Sequence, residues 1–364
     1  MKYFSTFSGI GGFEIGIHNA YRSTIRGSKE DTQGDQEQRL FTETRQDISP
    51  TERSVGKRST DKSNERPLCI GYSEIDKYAI SVYERQFNGH KNYGDITKIN
   101  ADELPDFECL VGGFPCQAFS IAGKRRGFED TRGTLFFDLA RILKAKKPRL
   151  FVFENVKGLL SHDNGNTFKT IIATIDELGY DCQWQVLNSK NHGVPQNRER
   201  IIIVGHLRGT TRPQVFPIAE SNRQDIVQLN QPTHSNDRVY GTDGISPTLN
   251  TMQGGNRQPF IAAQRGRYNK DGVIEQRIEP RFDGISNTLT AVQKDNMLYK
   301  PMIRRLTPIE CERLQAFPDN WTKYGVGEVP ISDSQRYKMC GNAVTTNVIR
   351  DVFERIFNIK EATL

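Results

Sequence analysis

Short apolar runs that break off on glycine, proline or an acidic residue alternate along the first half of the chain with stretches of helical spacing. Tyr3 to Gly16 reads as a strand that runs into a glycine-rich turn and then a helix. Leu68 to Asp76 reads as a second strand ending in acid, with a helix from Lys77 to Phe87 after it. A third strand is expected to end at the short polar break Gly94 to Thr97. Phe107 to Val111 reads as the end of a buried strand. In Gly127 to Lys146 the residues Leu135, Leu139, Ile142 and Leu143 fall on one helical face, and Pro148 stops that helix. Arg149 to Val156 is an apolar run of strand length that ends abruptly at Glu154 and Asn155. A strand, helix and strand joined in this way form a right-handed crossover, so the two strands are expected to be parallel and adjacent. A helix over Thr167 to Leu178, a strand over Asp181 to Leu187 and another over Ile201 to Gly205 continue the alternation, which predicts an α/β fold on a mainly parallel sheet.

Two regions break the pattern. From about Thr24 to Pro67 the chain is rich in Lys, Arg, Glu, Asp, Gln, Ser and Thr, with apolar residues too sparse to cover a core, and reads as a polar insertion that is mobile or only locally ordered. Residues 208 to 300 are rich in Gln, Asn, Gly and Arg, with short β-like runs and no amphipathic helix. Within them Asp243 to Asn250 recurs as Asp283 to Thr290, each copy carrying a Thr-Leu pair, Thr248-Leu249 and Thr288-Leu289. Two similar β-turn hairpins are the plain reading of that repeat. Near the end, Thr345 to Phe357 is a helix with Val348, Val352 and Ile356 on its apolar face.

The chain has 364 residues, enough for one large α/β domain and a smaller one. Its six cysteines are scattered, without a C-x-x-C pair or histidines at metal-ligand spacing, so neither a zinc site nor a disulfide framework is indicated and a reduced, intracellular protein is expected. The N-terminus is broken by Gly9, Gly11, Gly12 and Glu14, and no apolar run approaches membrane-spanning length. A soluble, cytoplasmic protein is expected, with no membrane partner. The net charge of +6 is compatible with a polyanionic partner and with many other soluble proteins.

Candidate chemistry collects where the runs end. Cys116 follows Gly112, Gly113 and Pro115, residues that let the backbone turn sharply at the carboxyl edge of a parallel sheet, and it is a candidate nucleophile; a small buried hydrophobe is the other reading. The crossover would bring Glu154 to the neighbouring strand end, unless that acid merely caps the next helix. Gly9 to Gly12 would bring backbone amides at a helix N-terminus close to a ligand. Glu14 stands where a dinucleotide fingerprint wants its third glycine, so a cofactor without a pyrophosphate fits better. Glu74, at the tip of the second strand, suits ribose hydroxyls, whereas Ser73 or Asp76 is better placed to cap the helix. Arg198 and Arg200, two apart at the mouth of a strand, would point the same way and form an anion or carbonyl site, or else a solvated pair.

Taken together, Phe7 to Gly12, Gly94 to Thr97, Phe114-Pro115-Cys116-Gln117, Glu154-Asn155-Val156, Gln196 to Arg200, Arg305 to Pro308 with Glu310 to Gln315, and Gly341 to Val344 resemble, in order, the motifs of the bacterial and phage DNA (cytosine-5) methyltransferases, of type II restriction-modification systems or orphan. The resemblance covers most of the chain outside the polar insertion and residues 208 to 300. It implies a Rossmann-like S-adenosylmethionine-dependent methyltransferase domain over 1–207, a smaller, mainly β target-recognition domain over 208–300, and a segment, 301–364, that completes the catalytic domain.

It also implies roles. Cys116 would be the nucleophile that adds to C6 of a flipped-out cytosine, Glu154 would act at N3, Arg200 at O2 with Arg198 in support, and Asn155 would orient the groups. Phe7, Gly9, Ile10, Gly11 and Gly12 would surround the methionine end of S-adenosylmethionine, Glu74 its ribose, and Asp95 and Ile96 its adenine. Ile75 stands where the family often has tryptophan against the adenine; Pro115, Leu135, Asn342 and Val344 would complete the cleft. Gln117, Ser120, Thr288 and Leu289 would touch DNA. Double-stranded DNA is the implied partner and the chain is expected to be a monomer, with no metal; a cognate restriction endonuclease would share the site without direct contact. A tRNA cytosine-5 methyltransferase shares the motif order but typically lacks a large recognition domain. A non-catalytic DNA-binding relative would be expected to have lost Cys116 or Glu154. Because the polar insertion contributes so little to a core, replacing Arg26 to Glu65 by a short Gly/Ser linker is expected to preserve most methylation of DNA by labelled cofactor.

Overall fold

The computed structural model describes residues 1–27, 66–115, 135–219, 246–247, 263–268, 274–279 and 306–358. The helix after the first strand runs on to Gly27, so the polar insertion expected from about Thr24 does not begin there; its residues 28–65, Cys116 and both Thr-Leu pairs lie outside the described residues. The chain divides into two units. The first comprises Met1–Trp184, Ile202–Phe216 and Arg350–Leu364, and so includes both ends of the chain; the second comprises Gln185–Ile201 and Pro217–Ile349.

The first unit is built on a sheet whose strands follow the predicted alternation. β1 (Lys2–Thr6) leads to α1 (Gly12–Gly27), β2 (Leu68–Ser73) to α2 (Lys77–Gln86), β3 (Cys109–Gly113) to α3 (Leu135–Lys146), and β4 (Leu150–Val156) to α4 (Asn166–Glu177), β5 (Tyr180–Asn188) and β7 (Glu199–Leu207); the short β6 (Gln196–Asn197), between β5 and β7 in sequence, falls in the second unit. The sheet order is β2-β1-β3-β4-β7-β5. β1 is parallel to β2 and to β3, and β3 to β4, so the expected crossover is observed. The end of β7 bonds to the starts of its neighbours, Leu207 N–H to Arg149 O at 3.0 Å and Arg208 N–H to Gly179 O at 2.9 Å, so β7 runs against β4 and β5. The chain leaves β1 towards β2 on one side and returns to β3 on the other. That switch opens a crevice at the carboxyl ends of β1 and β3, where open α/β sheets bind ligands.

Strands covered on both faces must be apolar throughout, and Leu110, Val111, Phe151, Val152 and Phe153 have no exposure. Leu139, Ile142 and Leu143 of α3 are equally buried, as the helical spacing predicted, while Leu135 at the helix start is half-buried. In the final helix, α7 (Thr346–Asn358), Val348, Val352 and Ile356 are buried, and the Phe357 ring meets Tyr21 of α1 edge-on at 6.3 Å.

One predicted strand is absent among the described residues. The segment before Gly94 makes only an isolated bridge, Asn92 beside Tyr72, closed by Tyr72 N–H to Lys91 O at 2.9 Å and Tyr93 N–H to Tyr72 O at 2.7 Å. Gly94 then turns with φ +69°, and Ile96–Lys98 is a 3-10 turn capped by Asp95.

In the second unit, β8 (Ser246–Pro247) belongs to the first copy of the internal repeat and pairs in parallel with β6, Gln196 against Ser246 and Asn197 against Pro247. β9 (Ala263–Tyr268) and β10 (Ile274–Glu279) pair antiparallel. α5 (Pro308–Leu314) starts with a complete capping box between Thr307 and Glu310, and α6 (Asp333–Asn342) follows it.

Packing of the sheet leaves no room at Gly205, where a Cβ would overlap the ring of Phe151 on β4. Gly205→Ala is expected to cost about 1–3 kcal/mol through forced repacking. Thermal unfolding should show a loss of several degrees; an unchanged melting temperature would contradict the tight β4–β7 packing.

Candidate active site

The glycine turn gives the first half of the site. Phe7, Gly9 and Gly11 all adopt positive φ, and α1 begins at Gly12, so the turn delivers the free amides of a helix N-terminus to the crevice. Glu74, just past β2, joins the two strand ends. One carboxylate oxygen accepts the Gly9 N–H at 2.8 Å, the other accepts the N–H groups of Ile75 at 2.8 Å and Asp76 at 2.9 Å. Asp76, not Glu74, caps α2, accepting from Tyr78 and Ala79 N–H. A Cβ placed on Gly9 would touch nothing within 4 Å, and the neighbouring Ile75 side chain is 72% exposed. The glycine turn is thus braced by a carboxylate, with open space at Gly9 and an exposed aliphatic side chain at Ile75. Ser73 bonds through its hydroxyl to Gly94 O at 2.6 Å and so holds the next segment nearby. There Asp95 accepts from the Thr97 N–H and hydroxyl, hydrogen bonds that hold its carboxyl below the usual range, and Ile96 is buried.

The second half is at β3 and β4. A Cβ on Gly112 would overlap the Thr6 side chain of β1, and one on Gly113 would lie 2.9 Å from Glu154 Oε2 of β4. Beyond them Asn155, 2% exposed, donates from Nδ2 to Phe114 O at 2.9 Å and accepts the Val156 N–H at 2.8 Å. Asn155 thus fixes the backbone that leads into exposed Pro115. Cys116, Gln117 and Ser120 come next and lie outside the described residues. The five described cysteines do not suit nucleophilic work. Burial pushes the Cys69 thiol up to about 12 and raises those of Cys109, Cys182, Cys311 and Cys340.

The second unit holds the remaining described candidates. Arg198 is buried, and its guanidinium donates to Gly341 O at 3.1 Å and Ala343 O at 2.9 Å, bracketing the exposed Asn342; Val344, next along, is buried. Arg200 is half-buried and donates to Glu199 O at 2.8 Å. The expected pairing of two guanidiniums on one strand face does not hold, because Arg198 sits in the break between β6 and β7, where strand alternation does not apply. The sequence reading missed the residue that organises this unit. Gln315 bonds to Cys340 O at 2.8 Å, accepts the Thr345 hydroxyl at 2.7 Å and meets the Gln196 amide at 3.3 Å, which itself reaches Leu314 O at 2.7 Å. Thr288 and Leu289 lie outside the described residues.

The description of C-5 cytosine-specific DNA methylases matches residues 62–358 of the chain. The chain belongs to that family. Among curated relatives it is 38% identical over 309 residues to the type II methyltransferase M1.ScrFI of Lactococcus lactis subsp. cremoris, covering 82% of this chain and 74% of that one. It is 36% identical to the type II methyltransferase M.HhaI of Haemophilus parahaemolyticus, covering 78% and 85%, and 31% identical to the orphan methyltransferase M.SPRI of Bacillus phage SPR, covering 79% and 92%. Of solved structures, the Entamoeba histolytica methyltransferase EhMeth aligns with a TM-score of 0.55 at 14% identity, over 99% of this chain and 98% of that one, and supports the Rossmann-like methyltransferase fold.

The methylase is therefore a DNA (cytosine-5) methyltransferase. Among its described residues no helix is long and apolar enough to cross a membrane. The Asn155 amide supplies its own test. Asn155→Asp keeps the acceptor for Val156 but faces Phe114 O with a group that cannot donate, a loss of about 1–3 kcal/mol of hydrogen bonding. Turnover is expected to fall at least ~10-fold while cofactor affinity, read by calorimetry, stays within about twofold. Equal losses in both would show that Asn155 serves the fold generally rather than the turn before Cys116.

Proposed function

We propose that the methylase transfers a methyl group from S-adenosylmethionine to C5 of a cytosine within a specific sequence of duplex DNA, through a covalent bond between Cys116 and C6 of a flipped-out base. The observation that carries this reading is the approach of Glu154 to Gly113, at the start of the turn that ends in Cys116, with Asn155 tying that turn to β4. An acid and a thiol supplied from adjacent parallel strand ends suit a ring that must be protonated or hydrogen-bonded on one edge while attacked on another.

The cofactor fits the residues present. Phe7, Gly9, Ile10, Gly11 and Gly12 receive its methionine end, Glu74 its ribose, and Ile75, Asp95 and Ile96 its adenine, with Pro115, Leu135, Asn342 and Val344 completing the set. When bound it supplies an electrophilic methyl group. The Cys116 thiolate forms a bond to C6, and the displaced π electrons make C5 nucleophilic while Glu154 holds the proton at N3 and Arg200 donates to O2. Arg198 acts through Gly341 and Ala343, fixing the backbone on either side of Asn342. After C5 has taken the methyl group, a base removes the C5 proton and the sulfur–C6 bond breaks, restoring the aromatic ring and the thiolate. A target inside a duplex has to leave the stack for this to occur. Gln117 and Ser120 contact DNA from the turn, and the region 208–300, with Thr288-Leu289, reads the sequence in the major groove. The protein acts as a monomer in the cytoplasm of a bacterium or phage-infected host; a restriction endonuclease of the same specificity would meet it only through the DNA.

Bisulfite sequencing of DNA from cells that express the protein identifies the target, and a duplex with 5-fluorocytosine at that position tests the mechanism. Fluorine cannot leave as a proton does, so a complex that survives denaturant is expected with the parent protein and none with Cys116→Ser, which should also lack turnover while binding cofactor normally. A complex that dissociates in denaturant, where ordinary DNA is methylated, would overturn the covalent route.

A further inference from the structure

Beneath the glycine turn lies a polar cluster that the proposed chemistry does not use. Glu14, in the first turn of α1, has no exposure, and the residues around it in the sequence, Phe13, Ile15 and Ile17, are buried with it. Its Oε1 accepts the Tyr83 hydroxyl of α2 at 3.0 Å, and its Oε2 has no hydrogen-bond partner among the described residues. The Tyr83 hydroxyl also lies 3.1 Å from His90 Nδ1 and 3.8 Å from Cys69 Sγ. The rings of Tyr83, Phe87 and His90 pack together, Tyr83 tilted at 46° to Phe87 with centroids 4.8 Å apart, and Phe87 stacked on His90 at 5.6 Å and 9°. Phe87 fills the space beside Gly11, where a Cβ would overlap its ring, and Gly11 holds φ +89°. A chain of contacts therefore runs from the Glu14 carboxyl through Tyr83 and Phe87 to the middle of the turn.

We propose that Glu14 is a positioning residue for the cofactor turn, its carboxyl holding Tyr83, and through it Phe87, against Gly11. The inference rests on the reading that the turn receives S-adenosylmethionine. The groups facing the carboxyl are Ser5 and Tyr3 from β1, Cys69 and Tyr72 from β2, Tyr83 from α2, His90 beyond it, and His18 one turn further along α1. None is a cation at neutral pH, since burial holds His18 and His90 neutral down to about 4 and raises the tyrosines and Cys69. Burial outweighs the hydrogen bonds from the Ser5 hydroxyl, the Glu14 backbone N–H and the Tyr83 hydroxyl, and the Glu14 carboxyl is pushed up to about 7. The unfolded chain ionises this group near ~4.5, so its neutral form favours folding at low pH; that contribution fades as pH rises between the two values and is gone above about 7. Ionisation would strand a charge under the turn and draw Tyr83 and Phe87 out of place.

The test compares the parent with Glu14→Gln, Glu14→Leu and Tyr83→Phe. Affinity for S-adenosylhomocysteine, whose thioether carries no charge, is read by calorimetry from pH ~5.5 to ~8.5, and the melting temperature of the free protein is read over the same range. The parent should lose affinity several-fold across the range relative to Glu14→Gln, which matches it at the acid end. In melting temperature Glu14→Gln should gain on the parent as pH rises, the histidine contributions being common to both. Tyr83→Phe removes a hydrogen bond that favours ionisation and should move the parent's midpoint to higher pH. Glu14→Leu, if it folds, should bind weakly at every pH yet turn over normally at saturating cofactor. Identical pH profiles for parent and Glu14→Gln, or a parent whose affinity rises with pH relative to it, overturn the inference while leaving the turn as the cofactor site. A parent that binds no cofactor overturns both.

Discussion

The site depends on the absence of side chains at the end of β3. On one side of Gly112 the Thr6 side chain occupies the space a Cβ would need, and on the other flank Glu154 approaches to 2.9 Å of the position a Cβ would take on Gly113. Any other residue at Gly112 would push β1 away from the central strand, and one at Gly113 would displace the Glu154 carboxylate. Two glycines within a strand weaken it, because they cost backbone entropy and pack nothing. Here the cost falls on the strand most heavily supported from both sides, since β3 is hydrogen-bonded to β1 and β4 along its length. What it secures is close spacing of three strand ends at the crevice, so that the glycine turn after β1 and the acid on β4 flank the same stretch of backbone.

From that spacing the other polar contacts follow. A turn at the edge of a sheet has amides and carbonyls that no neighbouring strand satisfies. Asn155 takes up the Phe114 carbonyl and Glu74 takes up the Gly9, Ile75 and Asp76 amides, so the residues that look like ligands for substrate and cofactor are already bonded to backbone in the free protein. Groups held in this way lose little freedom when a ligand arrives, which is how a site keeps its geometry without relying on the ligand to impose it.

The features legible in the sequence were those set by neighbours close along the chain. The strand-turn-helix at the start, the crossover from β3 through α3 to β4, and a cap of α2 at Ser73 or Asp76 all rest on local spacing, and the structure shows the first two and picks Asp76 for the third. The expected third strand was misjudged because Lys91 and Tyr93 bond to Tyr72 around one isolated bridge at Asn92 before Gly94 turns the chain, and a single bridge has no periodic signature. Arg198 and Arg200 were read as a pair because alternation was extended across a break that only the fold reveals. Arg198 finds its partners 143 and 145 residues along the chain, at Gly341 and Ala343, and Gln315 likewise bonds to Cys340, 25 residues away. No pattern in one sequence announces such contacts. Glu14 was noticed only for what it was not, the third glycine of a dinucleotide turn; its burial depends on β1, β2 and α2 closing over it.

Two glutamates with no exposure show how differently the units treat a buried acid. In the second unit Glu312 forms an ion pair with Arg336 at 3.0 Å, and the same oxygen accepts the Thr322 N–H at 2.9 Å and its hydroxyl. A cation in contact offsets much of the desolvation cost, and removing either partner of such a pair typically costs about 3–5 kcal/mol, because the other charge stays buried. Glu312 is therefore a brace, tying α5 to α6 and to the segment around Thr322. Glu14 has no such partner within its cluster. Its donors are two hydroxyls and its own backbone amide, none of them a cation, so no neighbouring charge holds the carboxyl in its ionised form. The same residue type serves as a fixed joint where a guanidinium meets it, and as a titratable one where no cation does.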